Sequence, residues 1–132
     1  MITKSETALE YLQKMHEHFR QTREYISPDG SIDNLCWRIA DELAFRLYYQ
    51  ENKSPAIYTI FDKGKPFTPL LLPNIEFLGH EFCECDGFVY DPLNPEPAHL
   101  EEYSKIIFDK EIPIKLRIPV WRIPIHLRRG RY

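Results

Sequence analysis

The sequence predicts an α+β fold, with N-terminal helices packed on an antiparallel sheet of four or five strands. Of 11 prolines, only Pro28 and Pro55 lie in the first 60 residues; the other nine run from Pro66 to Pro124. Proline removes a backbone donor and clashes inside a helix, so long helices belong to the first half, strands and loops to the second. Apolar periodicity agrees, with spacings of three and four before Gln50 and alternation after it. Helices first and strands later define α+β, not an alternating parallel fold.

The elements follow in order. Thr3 to about Tyr25 reads as an amphipathic helix, opened by a capping box over Thr3–Glu6 and striped by Ala8, Leu12, Met15 and Phe19. Ser27-Pro28-Asp29-Gly30 is a turn cluster that ends it. A second helix spans about Asn34 to Gln50, capped by Asp33 or Ser31. Its apolar stripe is Cys36, Ala40, Leu43, Ala44 and Leu47, and Arg38, Glu42 and Arg46 form a solvated ladder on its wet side. Ala56–Phe61 is β-branched and aromatic, a strand. Lys63 to Asn74 is a proline-broken loop. Ile75–Cys85 and Phe88–Asp91 flank Asp86-Gly87, a strong hairpin signal. Ala98–Phe108 is a short helix turning Leu100, Tyr103 and Ile107 inward. Ile114, Leu116, Ile118 and Val120 alternate as a last strand, whose phase changes near Trp121 to Ile123, Ile125 and Leu127, indicating a bulge. Pro119 and Pro124 place that strand at an edge or on a break in the ladder.

The 132 residues fit one domain spanning 1–132, and 43% hydrophobic with 28% charged residues argues against disorder. A net charge of 17 − 20 = −3 leaves no footprint for wholesale nucleic-acid binding. No apolar run approaches the ~20 residues of a spanning helix, and no signal peptide opens the chain, so no membrane partner is expected and the location reads as cytoplasmic. Delivery as an effector by a dedicated secretion system leaves the same pattern. Three cysteines, Cys36, Cys83 and Cys85, make no closed disulfide framework.

Cys36 falls in the first turn of the second helix, where unpaired amides and the positive dipole end favour a thiolate. The bland reading is a small core residue. The hairpin adds partners. With a two-residue Asp86-Gly87 turn, Cys83 faces Tyr90, Glu84 faces Val89, and His80 and Asp91 become diagonal neighbours on one face, about 7–8 Å apart along the backbone. A carboxylate there can fix the imidazole tautomer while the other ring nitrogen points outward. Glu84 shares that face; a solvated strand charge is its ordinary reading.

Asp33-Asn34-Leu35-Cys36-Trp37-Arg38-Ile39-Ala40 and the run His80 to Pro92 together resemble the papain-like fold. The likeness is to its compact members: transglutaminase-like proteins, arylamine N-acetyltransferases, and small bacterial papain-fold toxin and deamidase domains. It covers about Ile32 to Leu93. The resemblance implies Cys36 as nucleophile, His80 as general base and Asp91 as its orienter. It implies no cofactor and no metal, and a protein or peptide substrate. Many relatives place Gly, Asn or Gln before the cysteine, where this chain has Leu35 with Asn34 one further back. The Cys36 amide is then the expected oxyanion donor, with Asn34 as helper, and Trp37 resembles the Cys-Trp step of the peptidases.

Three alternatives stand beside this reading. His80, Cys83, Cys85 and Cys36 have zinc-ligand chemistry, but alternation puts Cys83 and Cys85 opposite His80. His16 and His18 point about 200° apart on a helix and form no ligand pair. The third is a catalytically inactive module that keeps the fold and binds a protein partner, with Cys36 simply buried. The basic run Arg128–Arg131 reads as a frayed terminus.

Overall fold

The computed structural model describes residues 6–119. Within them the order is α1 (Ala8–Thr22), α2 (Leu35–Phe45), β1 (Ala56–Phe61), β2 (Gly79–Cys85), β3 (Phe88–Tyr90), β4 (Ala98–His99), α3 (Tyr103–Phe108) and β5 (Ile114–Pro119). The five strands form one antiparallel sheet in the order β4-β3-β2-β1-β5. The α+β class expected from the prolines is the one observed. No helix among the described residues is long and apolar enough to cross a membrane.

α1 buries Ala8, Leu12, Met15 and Phe19, the stripe its spacing predicts. Its capping box forms later than expected: Thr7 Oγ1 accepts from the Glu10 amide at 3.1 Å, and Glu10 returns the bond to Thr7 N–H at 2.9 Å. Of the box expected at Thr3–Glu6, residues 3–5 lie outside the described range. Glu6 instead pairs with Lys14 and Arg46.

α2 lies along β2 and runs on into a π-helical turn, Arg46–Gln50. Neither Ser31 nor Asp33 caps it. Asn34 occupies the cap position in left-handed backbone (φ 51°) without a side-chain bond. Arg38 takes the Ser31 hydroxyl, donating to its Oγ at 2.8 Å, and also donates to the Asp33 backbone carbonyl at 3.0 Å. The expected solvated ladder is also corrected. Arg46 is only 12% exposed, binds both Glu42 and Glu6, and stacks its guanidinium 4.5 Å from the Tyr11 ring centroid. It links α1 to α2, because α1 covers the helix face that looked wet.

The β2–β3 hairpin has the expected register: Cys85 opposite Phe88, Glu84 opposite Val89, Cys83 opposite Tyr90. Asp86 (φ 55°) and Gly87 (φ 85°) both take positive φ, the backbone of the two-residue turn that matches strand twist. β2 starts four residues later than predicted, since Phe77 pairs with Phe67 in an isolated bridge instead. β5 is an edge strand, as its prolines require. However, Ile114 (48%) and Leu116 (51%), expected inward, are exposed, and the β1–β5 register shifts between Thr59 and Ile60. The phase change near Trp121 and the basic run Arg128–Arg131 lie outside the described residues.

A continuous chain of rings runs through the core: Phe19 to Tyr25 to Phe77, then His80, Phe108, Tyr103 and Phe82, with successive centroids 4.2–6.0 Å apart. Aromatic pairs in this range add packing energy beyond burial. His80, on the central strand, is part of that chain.

Candidate active site

The hairpin positions the first pair. His80 Nε2 donates to Asp91 Oδ2 at 2.9 Å across the ladder, and both residues are buried, at 1% and 3% exposure. Asp91 lies one residue beyond β3, where its Oδ1 also accepts the Leu93 amide at 3.0 Å. Its Oδ2 takes a second donor, the hydroxyl of Tyr103 at the start of α3. Three donors thus satisfy one buried carboxylate, the condition for keeping its charge away from water.

Cys36 approaches from the first turn of α2, half-buried. Its thiol is near enough to the His80 ring to favour the ring's charged form. With Nε2 committed to Asp91, Nδ1 is the ring nitrogen left over; it is buried and has no hydrogen-bond partner among the described residues. The thiol meanwhile donates to Glu81 Oε1 at 3.8 Å.

Electrostatics favour a charged ring. Burial alone would push the His80 pKa down, but the charge and hydrogen bond of Asp91, joined by those of Cys36, reverse this and lift it to about 10. The rings of Phe77, Phe108 and Tyr25 pack around it, with centroids 4.6, 5.8 and 6.1 Å away. The phenols of Tyr25 and Tyr103 are pushed well above their usual value, by burial first and by Asp91 next, so both remain donors. Cys83 and Cys85 are different thiols. Burial pushes both up, Cys85 to about 11, and their side chains alternate with those of His80, Phe82 and Glu84 along β2.

The structure therefore brings Cys36, His80 and Asp91 together. Asn34 stays exposed, with no side-chain cap bond; Trp37 is half-buried against the core. Because α2 begins at Leu35, the amides of its first turn, Cys36 among them, have no acceptor within the helix. Glu84 is not the solvated charge expected: at 8% exposure it accepts the Gly87 amide at 2.7 Å and braces the hairpin turn. His16 and His18 serve two separate segments, bonding the Pro92 and Ile26 carbonyls at 2.9 Å each. Those segments adjoin Asp91 and Tyr25.

The Tyr103–Asp91 and Cys36–Glu81 contacts are not foreseeable from the sequence. Tyr103 was legible as an inward-facing residue of a short helix, but nothing local connects its hydroxyl to Asp91. Among the described residues, no group of three or more His, Cys, Asp or Glu side chains is placed to hold a metal ion. No family model matches the chain, and neither a curated protein nor a solved structure matches it.

Proposed function

We propose that this chain is a cysteine-dependent acyl-transfer enzyme with a papain-like core, acting on an amide of a protein or peptide. The observation that carries the reading is the buried His80–Asp91 pair at 2.9 Å with the Cys36 thiol in reach of the same ring. A thiolate beside an imidazolium is the reactive form of such a nucleophile.

In this mechanism Cys36 Sγ forms a bond to the carbonyl carbon, and the electron pair of the C=O moves onto oxygen. The Cys36 amide, unpaired at the helix start, is the donor available to that oxyanion. The imidazolium of His80 then gives its Nδ1 proton to the leaving nitrogen as the C–N bond breaks, leaving a thioester. His80, now neutral, takes a proton from water or an amine that attacks the thioester, and the sulfur leaves. Asp91 holds the ring in place throughout. Water as acceptor gives hydrolysis or glutamine deamidation; an amine gives a transglutaminase-like transfer. The small scale of the fold favours a deamidase or effector-type domain over a general peptidase.

One observation favours the alternative, a module that binds a protein partner without catalysis. Two grooves among the described residues, of about 440 and 520 Å³, are lined by residues such as Ile60, Tyr103 and Ile112, or Tyr11, Leu35 and Arg38, and neither is lined by Cys36 or His80. Iodoacetamide labelling at about pH 6 separates the two readings. Rapid native labelling at Cys36, lost in His80→Ala, with Cys83 and Cys85 untouched until denaturation, supports the enzyme. A Cys36 that stays inert until the protein unfolds sinks it.

A further inference from the structure

We infer that Tyr103 is a positioning residue of this site: by sharing Asp91 Oδ2 with His80, its hydroxyl sets how tightly the carboxylate holds the ring proton. The inference rests on the acyl-transfer reading, in which His80 must both carry a proton and release it. It deepens that reading by adding a fourth residue behind the three.

The geometry is specific. Two donors, His80 Nε2–H and Tyr103 O–H, converge on a single oxygen, while the Leu93 amide takes the other. An acceptor divided between two donors is a weaker acceptor for each, and here both share one buried atom. Tyr103 is itself 2% exposed, with its ring tilted against Phe82 at 4.2 Å and nearly perpendicular to Phe108 at 6.0 Å, so the hydroxyl is aimed by packing. Burial keeps the phenol protonated, so it donates at every working pH. The titratable groups that face the ring and its carboxylate are Cys36 from α2, Tyr25 from the segment after α1, and Tyr103 from α3; Glu81, next to His80 on β2, meets the Cys36 thiol.

The consequence concerns acidity. With Tyr103 in place, Asp91 draws less strongly on the Nε2 proton, and the imidazolium is a better acid at Nδ1. Without it, Asp91 leans on His80 alone. The imidazolium is then held more firmly and gives up its Nδ1 proton less readily to a leaving group.

The test is nitrogen-15 NMR of the His80 ring in wild type, in Tyr103→Phe, and in protein fluorinated site-specifically on the Tyr103 ring. Fluorination makes the phenol a stronger donor. The His80 titration midpoint should rise by about half a pH unit or more in Tyr103→Phe and fall in the fluorinated protein. At neutral pH the Nε2–H proton should move downfield in the first and upfield in the second. Thermal unfolding verifies that each protein is folded, and the fluorinated form keeps the test alive if Tyr103→Phe is not. A midpoint and a proton resonance that stay put, or a midpoint that falls in Tyr103→Phe, overturn the inference. Failure of Cys36 to label at pH 6 would count against the acyl-transfer reading instead, and leaves this titration readable.

Discussion

Asp91 Oδ2 accepts the His80 Nε2 proton at 2.9 Å although the residues are 11 apart in sequence, because a two-residue turn folds them onto one face of the hairpin. The contact is inside the core, so removing either partner leaves a buried polar group unmatched and costs more than breaking a surface pair.

Replacing Asp91 by Asn keeps the shape and removes the charge. Without it, burial again opposes a charged His80 and the ring's pKa falls. Native iodoacetamide labelling of Cys36 at pH 6 should fall by about tenfold or more, and urea unfolding should show a loss of about 2 kcal/mol. Unchanged labelling would mean that Asp91 does not govern the charge on His80.

Lengthening the turn tests the register directly. A glycine inserted between Asp86 and Gly87 makes a three-residue loop and shifts β3 by one residue against β2, which turns Asp91 to the opposite face. The insertion should abolish the pH 6 labelling while circular dichroism still reports a folded α+β protein. Glu84, which braces the Gly87 amide, would lose its partner as well.

Stability should depend on pH in a direction set by His80. Its folded pKa, about 10, lies above the ordinary value near 6.5 of an unfolded chain, so the folded state binds the extra proton. The stabilisation it provides is complete below about pH 6.5 and is lost as pH climbs through 10. Urea midpoints measured from pH 6 to pH 10 should therefore fall, by on the order of a few kcal/mol in free energy, and His80→Gln should flatten that fall.

The capping box of α1 offers a control far from the site. Thr7→Ala removes the acceptor for the Glu10 amide and should cost about 1 kcal/mol, read as a lower melting temperature. Cys36 labelling in the surviving native protein should match wild type.

Much of the local structure was legible because short-range rules govern it. The buried stripe of α1, the limits of β1 and the register of the β2–β3 hairpin each follow from spacing or from turn residues within a few positions. The misreadings share a cause. Arg46 looked solvated until α1 was laid over it, and Ser31 looked like a cap until Arg38 took its hydroxyl. Ile114 and Leu116 alternate like a core strand, yet β5 is at the edge and leaves them exposed.

The sequence by itself determined the α+β class, the helix-start position of Cys36 and the facing of His80 toward Asp91, because proline content, helical spacing and a two-residue turn act locally. Only the tertiary structure decided that α3 sends the Tyr103 hydroxyl onto the oxygen that holds His80, that Glu81 meets the Cys36 thiol, and that three aromatic rings enclose the imidazole. Those contacts join segments far apart in the chain, and their geometry is set by how the helices pack on the sheet, which no local pattern of residues encodes.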